Sequence, residues 1–212
     1  MNVWNQKMRK MENVKLYSKF ERFWHWTQAF LVVFLGITGF EIHGSFKLFG
    51  YESAVRLHSA SSWAFLILIV FAVFWLFVTG QYVNFIPTTR NIKAQINYYI
   101  SGIFKNAAHP TKKTKLSKLN PLQRIVYLGL LILVFPVQLI SGFLYMYYHY
   151  PNKPVELTSL ETVAVIHTLG AFLLVAFFVV HLYLITTGET VSSNLKAMIT
   201  GYEKLEKEVE TK

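Results

Sequence analysis

The chain has 212 residues, of which 53% are hydrophobic and only 15% are charged, a composition typical of a membrane protein. It contains no cysteine. This excludes a disulfide framework, a cysteine-ligated iron–sulfur cluster and a covalently attached c-type haem.

Four long windows, at 23–40, 57–89, 125–152 and 162–188, contain no charged residue. A bilayer-spanning helix needs about 20 mostly apolar residues, so each window predicts one helix. We therefore predict an all-α membrane protein, a four-helix bundle formed by one domain of residues 1–212. The predicted helices lie at 23–42, 58–79, 124–147 and 164–187, with a middle loop at 80–121 and a tail at 192–212.

Two local features modify this pattern. Pro136 lies inside the third predicted helix, where it removes a backbone hydrogen bond and is expected to kink the helix. The segment LEKEVE, residues 205–210, is typical of a short exposed helix in the tail.

The basic residues are distributed unevenly between the two predicted sides of the membrane. Eighteen of the 21 lie before the first span, around the middle loop or after the last span, and three lie in the other two loops. By the positive-inside rule, both termini and the middle loop are predicted to be cytoplasmic. The net charge of +10 therefore reflects topology, and no nucleic-acid partner is predicted because no recognition motif accompanies it.

Four histidines fall at matching depths in this topology. His25 and His181 lie at the cytoplasmic ends of the first and fourth helices, and His58 and His167 begin the second and fourth helices on the outer side. His181 follows His167 by fourteen residues, which gives about 21 Å of helical rise and leaves the two rings about 40° apart on one face. Neutral imidazole serves as an axial ligand on both sides of a haem iron. We therefore predict an inner haem b between His25 and His181, and an outer haem b between His58 and His167.

The alternative is that these histidines only pack or form hydrogen bonds. This remains open for any one of them, but unpaired ionisable groups in hydrocarbon are costly, which disfavours it for the whole set. His43 and His149 are fallback ligands on the outer side, and His109 in the middle loop is expected to be solvated. Arg22 near the inner haem and Arg56 near the outer haem are candidates to bind a haem propionate, or they only anchor the helices at the membrane surface.

Several short motifs surround these histidines. They are RFWHW around His25, RLHS around His58, the fourteen-residue pair His167 and His181, NPLQR from Asn120 to Arg124, and KAMITG from Lys196 to Gly201. Together they resemble the four-helix, di-haem cytochrome b subunits that anchor formate dehydrogenase, nickel–iron hydrogenase and thiosulfate reductase. The resemblance implies a bacterial or archaeal cytoplasmic membrane.

The resemblance also implies a substrate and a partner. Asn120 and Gln123 match a polar pair that would hydrogen-bond a quinone, either menaquinone or ubiquinone, at the cytoplasmic end. Asn120 before Pro121 is equally typical of a helix cap, and the two roles can coexist. The implied partner is a periplasmic catalytic, iron–sulfur or multihaem electron-transfer subunit.

The leading hypothesis is thus a di-haem subunit that transfers electrons between a periplasmic oxidoreductase and the quinone pool. A second is a free-standing cytochrome b that oxidises superoxide or reduces a soluble acceptor. The third is a haem-free membrane anchor, in which the histidines only pack or relay protons.

Overall fold

The computed structural model describes residues 11–105, 107, 109–111, 113–114, 117–148, 160–188 and 190–206. Four of its helices are long and apolar enough to cross a membrane, which confirms the predicted all-α class and the number of spans. They are α1 (Lys19–Ile42), α2 (Tyr51–Val78), the 28-residue helix Pro121–Tyr148, and α6 (Leu160–Ile185). In the middle loop, α3 is Ile92–Asn97.

The spanning helices begin earlier than the sequence windows predicted. α1 begins at Lys19 because Ser18 and Glu21 form a reciprocal capping box. The Glu21 N–H donates to the Ser18 hydroxyl at 3.1 Å, and the Ser18 N–H donates to the Glu21 carboxylate at 2.7 Å. α2 begins at Tyr51, so Glu52 and Arg56 lie within its first turns. Charged residues ended the apolar windows, but they do not end the helices.

The third spanning helix contains a π-helical segment directly before Pro136. It consists of α4 (Pro121–Gly129), the π-helical segment Leu130–Val134, and α5 (Phe135–Tyr148). The Phe135 N–H bonds the carbonyl of Leu130, five residues earlier. Because Pro136 has no N–H to offer, the hydrogen-bond ladder shifts register here and the helix continues through the proline.

A small sheet closes the end of the bundle at which α1 begins and α6 ends. β1 (Met11–Lys15) pairs antiparallel with β2 (Tyr202–Glu206), with Lys15 opposite Tyr202 and Met11 opposite Glu206. α7 (Ser193–Thr200) precedes β2 and ends at Gly201, whose φ of 88° turns the chain into the strand. We call this the terminal end, and the opposite end the far end.

The predicted tail helix is therefore wrong at Leu205 and Glu206, which belong to β2, while 207–210 lie outside the described residues. The charge pattern was compatible with an exposed helix. The strand forms because β1 supplies backbone hydrogen-bond partners from the other end of the chain.

The bundle core lies at a depth between the two levels of histidines. Leu31, Phe65, Leu68 and Phe135 form its buried cluster. Many large apolar side chains face outward instead, for example Phe71, Phe74 and Phe77 along α2, which are 61% to 66% exposed. Such a surface is stable in lipid and not in water.

Candidate haem-binding site

The outer pair, His58 and His167, comes together at the far end. His58 lies near the start of α2 and His167 near the start of α6. Their ring centroids are 6.2 Å apart and the ring planes differ by 73°. The structure thus brings together two histidines that are far apart in sequence and lie on different helices.

The inner pair, His25 and His181, comes together at the terminal end. His25 lies in the second turn of α1 and His181 near the end of α6, with ring centroids 6.1 Å apart and planes differing by 49°. His181 stacks on Phe177 with ring centroids 5.6 Å apart, and His25 meets Trp26 edge to face with centroids 5.2 Å apart. Each inner ring is therefore in contact with an aromatic side chain of its own helix.

Both spacings suit one iron held between two rings. A metal bonds an imidazole nitrogen at about 2.0–2.1 Å, so two rings on opposite sides of one ion have centroids about 6 Å apart. The observed separations are 6.1 and 6.2 Å. The buried His25 Nδ1 atom has no hydrogen-bond partner among the described residues.

Each outer histidine also contacts a buried hydroxyl on a neighbouring helix. Thr38 Oγ1 on α1 lies 3.0 Å from His58 Nδ1, and Ser141 Oγ on α5 lies 3.0 Å from His167 Nδ1. The Gln138 amide nitrogen lies 3.2 Å from His167 Nε2. Sequence reasoning missed these three polar residues because each is an isolated polar residue in an apolar helix.

Two glycines make room for the outer rings. A Cβ atom on Gly39 would lie 3.3 Å from His58 Cε1, and one on Gly142 would lie 2.9 Å from His167 Cε1. The second distance is shorter than real Cβ contacts allow. A side chain at Gly142 would therefore displace the His167 ring, whereas one at Gly39 would press closely against His58.

The predicted propionate ligands differ in their surroundings. The Arg22 guanidinium donates through one terminal nitrogen to the carbonyl of Ile199, and its buried Nε has no partner among the described residues. That orphaned donor, one turn before His25, fits an anionic group on the inner haem. Arg56 is exposed in α2, which fits surface anchoring as well as propionate binding.

Asn120 and Gln123 cap the start of α4, one of the two roles that the sequence allowed for Asn120. The Gln123 N–H donates to Asn120 Oδ1 at 2.9 Å, and the Asn120 N–H donates to Gln123 Oε1 at 3.0 Å. The Asn120 amide nitrogen donates to the Tyr99 hydroxyl at 3.0 Å. The pKa of Tyr99 is raised above its usual value because burial outweighs the opposing effect of this hydrogen bond. Both side-chain oxygens of the polar pair are therefore engaged in the cap.

A cavity of about 230 Å³ lies nearby, between the start of α1 and the end of α2. Tyr17, Glu21, Trp75 and Lys118 are among its lining residues. Lys118 Nζ and Glu21 Oε1 form an ion pair at 2.6 Å with both side chains mostly buried. Burial and the nearby carboxylate of Glu203 raise the pKa of Tyr17. This part of the terminal end is thus polar although it adjoins a membrane span.

The remaining histidines lie outside both pairs. His43 is exposed at the end of α1, with its Nε2 3.5 Å from the Thr168 hydroxyl. His109 is exposed in the middle loop, and its Nδ1 lies 2.6 Å from the carbonyl of Thr111. Partial desolvation of its ring, together with the charge of Lys113, lowers the pKa of His109. His149 lies outside the described residues.

Comparison with known proteins identifies the class to which this bundle belongs. The family model described as prokaryotic cytochrome b561 matches residues 16–201, a range that includes all four spans and both histidine pairs. The chain belongs to the prokaryotic cytochrome b561 family. It is also 32% identical over 207 residues to "Putative cytochrome YdhU" of Escherichia coli (strain K12), covering 91% of this chain and 76% of that protein.

Family membership confirms the resemblance drawn from the histidine motifs. A cytochrome b561-type chain is an integral membrane protein of electron transport that binds haem b. The assignment of the four histidines as its axial ligands stays a prediction, and the geometry above is its support.

Proposed function

We propose that this cytochrome b561-family chain carries electrons through two haems b across the cytoplasmic membrane, between a periplasmic oxidoreductase partner and the quinone pool. The observation that carries this proposal is the presence of one facing histidine pair at each end of the bundle, with centroid separations of 6.1 and 6.2 Å. His167 and His181 share α6, so about 21 Å of helical rise separates the two levels.

Haem b, when bound, supplies one-electron oxidation and reduction. The chain's residues hold the two groups in place: His25 and His181 at the inner level, and His58 and His167 at the outer level. Arg22 offers its unpaired Nε to an inner propionate, and Arg56 is the corresponding candidate outside. The apolar core between the two levels excludes water from the path between them.

The quinone is proposed to bind at the terminal end, near the inner pair. Among the described residues no partner bonds the Gln123 amide nitrogen, so this atom can donate to a quinone oxygen without opening the cap. Tyr17, Glu21 and Lys118, which line the adjacent cavity, provide polar groups where protons enter or leave. The excess of basic residues at this end supports a cytoplasmic orientation.

The partner is proposed to bind at the far end, next to the outer pair. A catalytic, iron–sulfur or multihaem subunit docked there would exchange electrons with the outer haem. Charge moved across the whole membrane is worth about 2.3 kcal/mol per elementary charge per 100 mV. The membrane potential and the potentials of the partner and quinone together set the direction of electron flow.

The test is a reduced-minus-oxidised spectrum with haem quantification on the purified chain and on four variants, H25A, H58A, H167A and H181A. We expect two haems b per wild-type chain and the loss of one in each variant. H43A and H109A are matched controls and should keep both haems. A water-soluble quinol analogue added to the oxidised wild type should reduce the haems.

Other outcomes would support the competing hypotheses. A wild-type chain without haem absorbance contradicts the proposal and favours a membrane anchor. Oxidation of superoxide, or reduction of a soluble acceptor, by the isolated chain without quinone favours a free-standing cytochrome. An extrinsic subunit that co-purifies and reduces the haems supports the proposed partner.

A further inference from the structure

A four-residue pattern occurs twice at the level of the outer pair. The segment ITGF occupies residues 37–40 of α1, and ISGF occupies residues 140–143 of α5. In both copies the hydroxyl residue contacts the Nδ1 atom of an outer histidine on the next spanning helix, and the following glycine faces the Cε1 atom of the same ring. The two helical hairpins thus present their histidines in the same way.

The hydroxyl hydrogen in each copy has an acceptor already. Thr38 Oγ1 donates to the carbonyl of Phe34 at 2.9 Å, and Ser141 Oγ donates to the carbonyl of Val137 at 2.6 Å. A hydroxyl has one hydrogen, so an oxygen that donates it to a carbonyl can only accept from a second neighbour. The Nδ1–H tautomer, in which the ring donates to the hydroxyl oxygen, is the one that uses both hydrogens.

The second contact of His167 fits the same tautomer. Its Nε2 lies 3.2 Å from the amide nitrogen of Gln138, which can donate to it, while the buried Gln138 Oε1 atom has no hydrogen-bond partner among the described residues. In this arrangement Nε2 is unprotonated and Nδ1 carries the proton. A haem iron, if bound here, would need the lone pair of Nε2.

We propose that Thr38 and Ser141 are positioning residues that fix both outer histidines in the Nδ1–H tautomer and leave Nε2 to bind iron. The inference rests on the proposed haem role of the outer pair. Thr38 and Ser141 are only 0% and 5% exposed, so water does not compete for these hydrogen bonds. A hydrogen bond donated by Nδ1 makes the imidazole a stronger electron donor, which stabilises ferric iron.

At least one histidine of the inner pair has no hydroxyl group in contact with its Nδ1 atom among the described residues. His25 Nδ1 is buried and has no hydrogen-bond partner among the described residues, and His181 stacks on Phe177. The two haems therefore differ in the electron donation of their ligands. Loss of a hydroxyl should raise the midpoint potential of the outer haem and leave that of the inner haem unchanged.

The experiment is a redox titration of the full chain with two bound haems, comparing T38V and S141A with the wild type. Valine matches threonine in shape, and T38S and S141T, which keep the hydroxyl, are the matched controls. In each hydroxyl-free variant we expect one haem to titrate at a more positive potential. The expected change in its reduced-to-oxidised ratio is about tenfold, or about 59 mV for one electron. The potential of that haem should be still more positive in the double variant T38V/S141A.

Each outcome either supports or contradicts the proposed role of the two hydroxyl groups. Loss of the outer haem in T38V with retention in T38S also supports the proposal, because T38S keeps the hydroxyl and T38V does not. Unchanged potentials with full haem content in both hydroxyl-free variants, or equal shifts in T38S and T38V, overturn it while leaving the di-haem function intact. A wild-type chain without haem overturns the proposed function together with this inference.

Discussion

Gly39 and Gly142 show how single residues set the geometry of the outer pair. Each lies one position after a hydroxyl residue, and each faces the Cε1 atom of the histidine that the hydroxyl contacts. A methyl group at Gly142 would lie 2.9 Å from His167, whereas one at Gly39 would lie 3.3 Å from His58. The first contact forces the ring to move, and the second requires a shift of only a few tenths of an ångström.

We therefore expect G142A to lower the content of the outer haem more than G39A does. Gly36 and Gly129 are matched controls in the same two spanning helices, because a Cβ atom at either position meets nothing within 4 Å. Alanine at those sites should be neutral, or stabilising by up to about 1 kcal/mol from helix propensity. Haem quantification on the four variants measures the difference. Equal haem content in G142A and G129A would show that the outer ring tolerates the methyl group.

At the scale of elements, the connection between α1 and α2 depends on one buried carboxylate. Glu41 is only 5% exposed, and its Oε1 accepts the backbone N–H groups of Leu48, Phe49 and Gly50 at 2.7, 2.8 and 2.8 Å. The loop therefore folds back onto the end of α1 and sets where α2 begins, and with it the height of His58. The sequence marked Glu41 only as the edge of an apolar window.

We expect E41A to destabilise this hairpin, since three backbone N–H groups lose a charged acceptor. E41Q keeps an acceptor oxygen and should destabilise the hairpin less. The control is E52Q, because Glu52 is exposed in the first turn of α2. Thermal unfolding in detergent measures the loss of stability of the whole chain, and hydrogen exchange at the amides of residues 48–50 measures the local loss. Unchanged exchange at those amides in E41A would contradict the role of this carboxylate.

At the scale of the whole molecule, the terminal end joins segments from the beginning, middle and end of the chain. β1 pairs with β2, and the Trp26 indole N–H donates to the carbonyl of Met198 at 3.2 Å. The Lys118–Glu21 ion pair connects the middle loop to α1, and Lys113 and Glu203 form a second pair at 2.9 Å. These contacts hold the surroundings of the inner pair together.

The effects on stability of substituting Lys118 and Glu21, the buried ion pair, should be strongly non-additive. K118M leaves the Glu21 charge without its partner, which for a buried pair costs roughly 3–5 kcal/mol, and E21Q in the same chain should recover much of that loss. Lys113 is 31% exposed in its pair with Glu203, so K113M is the matched control and should cost about 1 kcal/mol or less. A double-mutant cycle by thermal unfolding measures both pairs. Additive effects for Lys118 and Glu21 would rule out the coupling.

The sequence by itself determined the four spans and the levels at which His25 meets His181 and His58 meets His167. Both follow from local properties, because an apolar run long enough to cross a bilayer must be helical and helical rise converts residue number into height. The motifs around His25 and His58 were specific enough to indicate the cytochrome b family, which the family match over residues 16–201 confirms.

Only the tertiary structure decided which groups on other helices contact those histidines. Thr38 contacts His58 from α1, Ser141 contacts His167 from α5, and β2 finds its partner in β1 near the other end of the chain. Asn120 and Gln123 likewise proved to form a cap, which the sequence weighed equally with quinone binding for Asn120. Hydropathy and helical period describe one segment at a time, whereas such contacts depend on how separate helices rotate and pack against each other.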